Sequence, residues 1–185
     1  MGDIDLHFVG LFSQKDDDIP IVLLHGWPDS FLEFIPTLEL LQKKYESASL
    51  PYHVIVPSLP GYTLSSGPSE TEAWNSQDAA RMINKAVMSL GFSRYAVQGG
   101  DVGSLIASTL ATTYDSVAAI HLNLLPSLDR ITSDDPSLSS SDKAAIERAE
   151  QRFLTPTTGA ALLQSTRPAT IGAMVSSSPL ALLAW

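Results

Sequence analysis

Tyr95-Ala96-Val97-Gln98-Gly99-Gly100-Asp101-Val102-Gly103-Ser104 places an aspartate at the centre of a turn built from small residues. The apolar start predicts a strand over 95–98, and Gly103–Tyr114 has the spacing of a helix. Strand, tight turn and helix in that order form a nucleophile elbow, G-x-Nu-x-G, whose small residues let the backbone fold closely on itself. Asp101 holds the Nu position. A carboxylate there attacks an electrophilic carbon and leaves an ester, whereas a serine would become an acylated alcohol. The competing reading of a lone GxDxG is an aspartate buried in a turn or capping a helix.

The stretches around the elbow decide between the two. Asp3–Phe12 reads as a strand whose apolar alternation shifts at Phe8-Val9, which predicts a bulge. Ile19–Leu24 is a continuous apolar run, the mark of a strand buried on both faces. Helix spacing follows over Phe31–Leu41, with Pro36 in its first turn or at a kink. Tyr52–Val56 is the next strand, 58–75 a loop, and Asp78–Leu90 an amphipathic helix ended by Gly91. The run Val117–Leu124 contains a further strand. Strand and helix alternating at this spacing predict an α/β fold, a mostly parallel sheet with helices on both faces. Ligands of such sheets gather beyond the carboxyl ends of the strands. His25–Pro28, Pro57–Tyr62 and Asp101 all fall there, which favours the functional reading of Asp101.

Residues 1–126 therefore read as the core. Residues 127–185 differ: a polar loop, a charged helix over Asp142–Phe153, and apolar stretches at Thr170–Val175 and Pro179–Trp185. The chain has 185 residues, 44% hydrophobic and 17% charged, enough for one domain with a sizeable core. A net charge of −9 argues against a nucleic-acid surface or an anionic membrane. No cysteine is present, which excludes disulfides, thiolate nucleophiles and Cys-bound metals. Neither a secretory signal nor an apolar run long enough to span a bilayer is apparent, so the expected location is cytoplasmic.

At His25-Gly26-Trp27-Pro28, Gly26 permits an unusual backbone path and Pro28 fixes the turn. The Trp27 amide then points into the site, where the Val102 amide also lies, and two such donors make an oxyanion hole. His25 is expected to serve the turn through hydrogen bonds to neighbouring loops, and Gly99, Gly100 and Gly103 to serve the elbow. Of the four histidines, His7, His25, His53 and His121, none has metal-ligand spacing, and none follows the nucleophile and acid in the order this elbow requires. No phosphate-binding glycine pattern occurs, so neither a metal nor a cofactor is expected.

LLHGWPDSFLEF at Leu23–Phe34, YHVIVPSLPGY at Tyr52–Tyr62, VQGGDVGS at Val97–Ser104 and HLNLLP at His121–Pro126 stand in order, followed by QSTRPATIG at Gln164–Gly172 and SSSPLALLAW at Ser176–Trp185. Together they resemble the epoxide hydrolases of the α/β-hydrolase superfamily, in the microsomal-type branch common in fungi. The resemblance implies an incomplete α/β-hydrolase fold with a partial helical lid over 127–185. Asp101 is then the nucleophile that forms a hydroxyalkyl ester, and the amides of Trp27 and Val102 hold the oxyanion while water hydrolyses it. Trp27 and Trp185 would line the apolar pocket. The implied substrate is a small hydrophobic epoxide with water as co-substrate, in detoxification or aromatic hydrocarbon catabolism. Haloalkane dehalogenases share the HG-x-P turn and the aspartate elbow and form the enzymatic alternative. A non-catalytic fragment that binds hydrophobic ligands or a protein partner is the other.

Departures from the pattern set further expectations. Ala160–Leu163 supplies no tyrosine before QSTRP, where a lid tyrosine belongs. The second lid tyrosine, the acid and the base histidine fall beyond Trp185, and the N-terminal arm before Met1. The expectation is thus a chain truncated at both ends, inactive as given, poorly stable alone, and open to self-association through an exposed sheet edge.

Overall fold

The computed structural model describes residues 4–15, 19–69, 71, 73–125, 132–153 and 159–185. Short apolar runs bounded by glycine, proline and serine become the strands: β1 (Phe8–Leu11), β2 (Ile21–Leu24), β3 (Val54–Pro57), β4 (Tyr95–Gly99) and β5 (Val117–Leu122). They form one sheet in the order β1-β3-β2-β4-β5. The β3-β2, β2-β4 and β4-β5 pairs are parallel, and β1 runs antiparallel to β3. The sheet is therefore mostly parallel.

Successive residues along the strands point to opposite faces, and both faces are covered. Val22, Leu24, Ile55 and Val97 pack with Ala79, Ile83 and Val87 of α2 (Ser76–Ser89) and Ile106, Ala107 and Leu110 of α3 (Val102–Thr113). Val54 and Val56, with Leu23, pack with Phe31, Leu38 and Leu41 on the other face, where a 3-10 turn (Phe31–Phe34) leads into α1 (Ile35–Lys44). Pro36 lies in the first turn of α1, where its missing N–H is not needed. Asn75 caps α2 by accepting from Gln77 N and Asp78 N, which starts the helix ahead of the expected Asp78.

Two expectations change. The β1–β3 ladder runs without a shift from Phe8 opposite Pro57 to Leu11 opposite Val54, so no bulge lies there. The broken alternation has another cause: Leu6 and Phe8 pack towards one core cluster while Val9 and Leu11 pack towards the other. The register shift instead falls at Tyr95/Ala96, between β4 and β5. Residues 159–166, not singled out as a helix in the sequence, form one.

The chain divides into two compact units, Met1–Pro126 and Ser127–Trp185. The second contains α4 (Ser140–Phe153), α5 (Gly159–Thr166), α6 (Pro168–Val175) and α7 (Pro179–Ala184). Among the described residues no helix is long and apolar enough to cross a membrane, and no group of three histidine or acidic side chains is arranged to hold a metal ion.

Candidate active site

The elbow is tight because its glycines touch backbone. A Cβ on Gly99 would collide with the Gly103 carbonyl, and one on Gly103 with the carbonyls of Leu24 and His25. This close approach seats the first turn of α3 directly on the end of β2. Asp101 takes φ 49° and ψ −121°, a left-handed conformation costly for any residue with a side chain, at about 1–3 kcal/mol. It stands at the N-cap of α3 but makes no capping hydrogen bond, and its side chain is exposed. The capping reading is therefore set aside.

The Asp101 carboxylate instead meets the turn after β2. Trp27 N donates to its Oδ1 at 2.9 Å. Gly26 makes the approach possible, since a Cβ there would stand 2.5 Å from Asp101 Cβ and 2.7 Å from Oδ1. The Trp27–Pro28 peptide is cis. Among the described residues Oδ2 has no hydrogen-bond partner, which leaves one carboxylate oxygen held and the other available.

His25 lies beneath this turn, fully buried. Its Nδ1 is 3.0 Å from the Gly26 carbonyl, and its Nε2 accepts from Leu59 N at 3.0 Å. These partners require the neutral tautomer with the proton on Nδ1. Burial pushes the imidazole below its ordinary 6.5, with the Gly26 carbonyl and the charge of Asp29 opposing. His25 thus ties the Trp27 turn to the 57–62 loop. That loop is pinned in turn to β1: Ser58 N donates to the His7 carbonyl, and His7 Nδ1 lies 2.9 Å from Ser58 Oγ. Tyr62 packs edge-on against His25 and Trp27, at 5.0 and 5.8 Å between ring centres. Burial, then the Asp101 charge, raise its phenol above the ordinary 10.0.

Neutral His25 is the form the fold selects, so its stabilising effect is complete above pH 6.5. Below that, protonation favours the unfolded chain and removes the Nε2 acceptor, until the folded form protonates too. The advantage of the wild type over His25→Gln in urea midpoint should therefore be largest above pH 6.5 and shrink as the pH falls. A difference independent of pH would contradict this assignment.

Two cavities of opposite character lie at the elbow, one lined by Asp101 and the other by Val102. A polar one of about 340 Å³ is lined by Asp101 with Asp29, Glu33, Gln98 and Asn123. Gln98 Oε1 is buried without a hydrogen-bond partner, and burial, then the charge of Asp29, raise the Glu33 carboxyl above its ordinary 4.5. An apolar one of about 380 Å³ is lined by Leu59, Tyr62, Trp74, Val102, Leu105 and Ile106, among others.

The structure thus brings together Asp101, Gly26, Trp27 and Val102, with Pro28, Gly99, Gly100 and Gly103 in the turns that hold them. The Trp27 indole lines neither cavity: with its amide on Asp101 its ring turns to Tyr62, which does line the apolar one. Trp185 belongs to the second unit. None of the four histidines lines either cavity. His53 accepts from Ser13 N, and His121 is exposed on β5. Sequence reading placed Leu59 and Tyr62 only as part of the Pro57–Tyr62 segment at the strand ends, and it missed Gln98, Asn123 and Glu33 as site residues. The alternation of β4, which sends Gln98 opposite to Val97, was the available signal for one of them.

Residues 19–179 match the family described as the α/β hydrolase fold, and residues 1–34 match the epoxide hydrolase N terminus. Part of the N-terminal region expected to lie outside the chain is therefore within it. The solved Aspergillus niger epoxide hydrolase is 45% identical, with a TM-score of 0.79 over 98% of this chain and 48% of that one. The juvenile hormone epoxide hydrolase of Bombyx mori is 27% identical, with a TM-score of 0.67 over 97% of this chain and 41% of its own. Epoxide hydrolase 1 of Sus scrofa is 32% identical over 98% of this chain and 44% of its own length. The chain spans a little under half the length of these relatives.

Proposed function

Since this chain belongs to the α/β-hydrolase family and is a homologue of its epoxide hydrolases, we propose that Asp101 opens an epoxide and carries the product as an ester. The observation that supports this most directly is the 2.9 Å bond from Trp27 N to Asp101 Oδ1. It orients the carboxylate so that Oδ2 attacks the epoxide carbon as the ring C–O bond breaks. The ring oxygen leaves as an alkoxide and takes a proton from water. Oδ1 then becomes the ester carbonyl oxygen. When water adds to the Asp101 carbonyl carbon and gives a proton to the hydroxide left by ring opening, the negative charge develops on Oδ1, where the amides of Trp27 and Val102 stabilise it. One such donor is typically worth about 3 kcal/mol in the transition state. Collapse of that intermediate expels the diol as its alkoxide, which takes the proton of the new Asp101 carboxyl group, and this restores the carboxylate.

The ester-hydrolysing water is assigned to the polar cavity, where Gln98 and Asn123 supply hydrogen-bonding groups. No histidine lines that cavity to activate the water. A positioned general base typically contributes about 10²–10⁴-fold, so release from this chain is slow. The expected kinetics are a single burst of epoxide consumption equal to the protein concentration, with no steady state after it. Sustained turnover by the purified 185-residue chain would contradict the slow-release part of this reading. The absence of any burst would contradict the reading as a whole.

A further inference from the structure

We infer that His7, the residue before β1, is a positioning residue for the Trp27 amide, acting through Ser58, Leu59 and His25. This goes beyond the proposed function but rests on its reading of Trp27 as an oxyanion donor. The link ends on a single peptide group, because the Gly26 carbonyl and the Trp27 N–H lie in one peptide plane. His25 Nδ1 holds that carbonyl at 3.0 Å, and the N–H reaches Asp101 Oδ1 at 2.9 Å. A shift of the His25 ring therefore tilts the donor that faces the nucleophile.

The other nitrogen of that ring is fixed by Leu59 N, and Leu59 follows Ser58 in the 57–62 loop. Ser58 is fully buried, and its hydroxyl oxygen accepts from Thr63 Oγ1 at 2.9 Å. Its own proton then needs an acceptor, and His7 Nδ1, 2.9 Å away, is the one present among the described residues. Further bonds run alongside: Ser58 N donates to the His7 carbonyl, His7 N to Ser65 Oγ, and Ser65 Oγ to the Ser58 carbonyl. Thr63 keeps its place in this network at φ 44°, a left-handed conformation costly for a β-branched residue. The His7 ring also packs edge-on against Phe31, with ring centres 4.8 Å apart, and Phe31 begins the 3-10 turn that follows Trp27. His7 thus braces both ends of the segment 25–31, and its Nδ1 is the part that reaches His25.

The test compares two variants of the 185-residue chain with the wild type. His7→Phe keeps a ring on Phe31 and removes the acceptor, whereas His7→Asn removes the ring and sets Oδ1 near the place of Nδ1. Each chain is esterified with phenyloxirane, the reagent is removed, and release of the ester is followed by intact mass. His7→Phe should slow release about tenfold, and His7→Asn less than about threefold, against the ~10²–10³-fold that loss of a whole oxyanion donor costs. Hydrogen exchange read by NMR is the second measurement. The Trp27 amide should exchange about tenfold faster in His7→Phe, with the Val22 and Leu24 amides of β2 unchanged, as a local rather than a global opening requires. Ser58→Ala cuts the same link from its other end and decides the matter if His7→Phe fails to fold. Release from His7→Phe at the wild-type rate, equal slowing in His7→Asn, or exchange sped alike at Trp27, Val22 and Leu24 would overturn the inference. Should no ester form on the wild type, the role of Asp101 fails, and the exchange pattern alone decides whether His7 places the Trp27 amide.

Discussion

Asp101→Asn is expected to end covalent capture of epoxides, lowering the burst by on the order of 10³-fold or more. The amide keeps the shape of the carboxylate, and its oxygen can still accept the Trp27 N–H. What it loses is the anionic oxygen that displaces the ring C–O bond. The fold should tolerate the change, because asparagine adopts a positive φ, here 49°, about as readily as aspartate. Stability by urea unfolding should stay within about 0.5 kcal/mol of the wild type, the usual range for a surface change that breaks no packing. A variant of normal stability that still consumes one equivalent of epoxide would move the nucleophile elsewhere.

Gly103→Ala is expected to destabilise the first unit by about 3 kcal/mol, the upper part of the range for overpacking. The added methyl meets the carbonyls of Leu24 and His25, and backbone on that scale cannot swing aside as a side chain would. The helix must lift away from β2, and Asp101 moves with its first turn. The burst should therefore be lost along with the stability, and the urea midpoint should fall. A variant as stable as the wild type would mean that the helix and β2 are not held in contact as described.

The contrast between these two residues bears on what was legible in the sequence. Asp101 and the glycines around it form a local pattern, since strand, turn and helix are consecutive and their sterics are set within ten residues or so. The Trp27 turn was readable for the same reason. The parallel sheet followed from continuous apolar runs such as Ile19–Leu24, which only a strand covered on both faces explains. The apparent bulge in Asp3–Phe12 shows where this kind of reading misleads. A strand serving two cores loses its alternation just as a bulged one does, and only its partner β3 distinguishes the two.

What was not legible is non-local. His25 could be assigned to hydrogen bonds within its turn, but its acceptor role towards Leu59 N depends on a residue 34 positions further along the chain. Gln98, Glu33 and Asn123 meet in one cavity only because β4 lies between β2 and β5 and the 3-10 turn packs on that face. None carries a motif of its own. The apolar cavity likewise joins α2, α3 and the 57–62 loop, and no single stretch of sequence announces it.

The central claim is that Asp101 becomes an ester. Fragment mass analysis of the phenyloxirane-treated chain tests it most directly, by locating the added mass. The account predicts one addition per chain, on the peptide containing Asp101, at the aspartate itself, and removable by hydroxylamine as an ester should be. Mass located on Asp29, Glu33 or His121, with Asp101 unmodified, would contradict it.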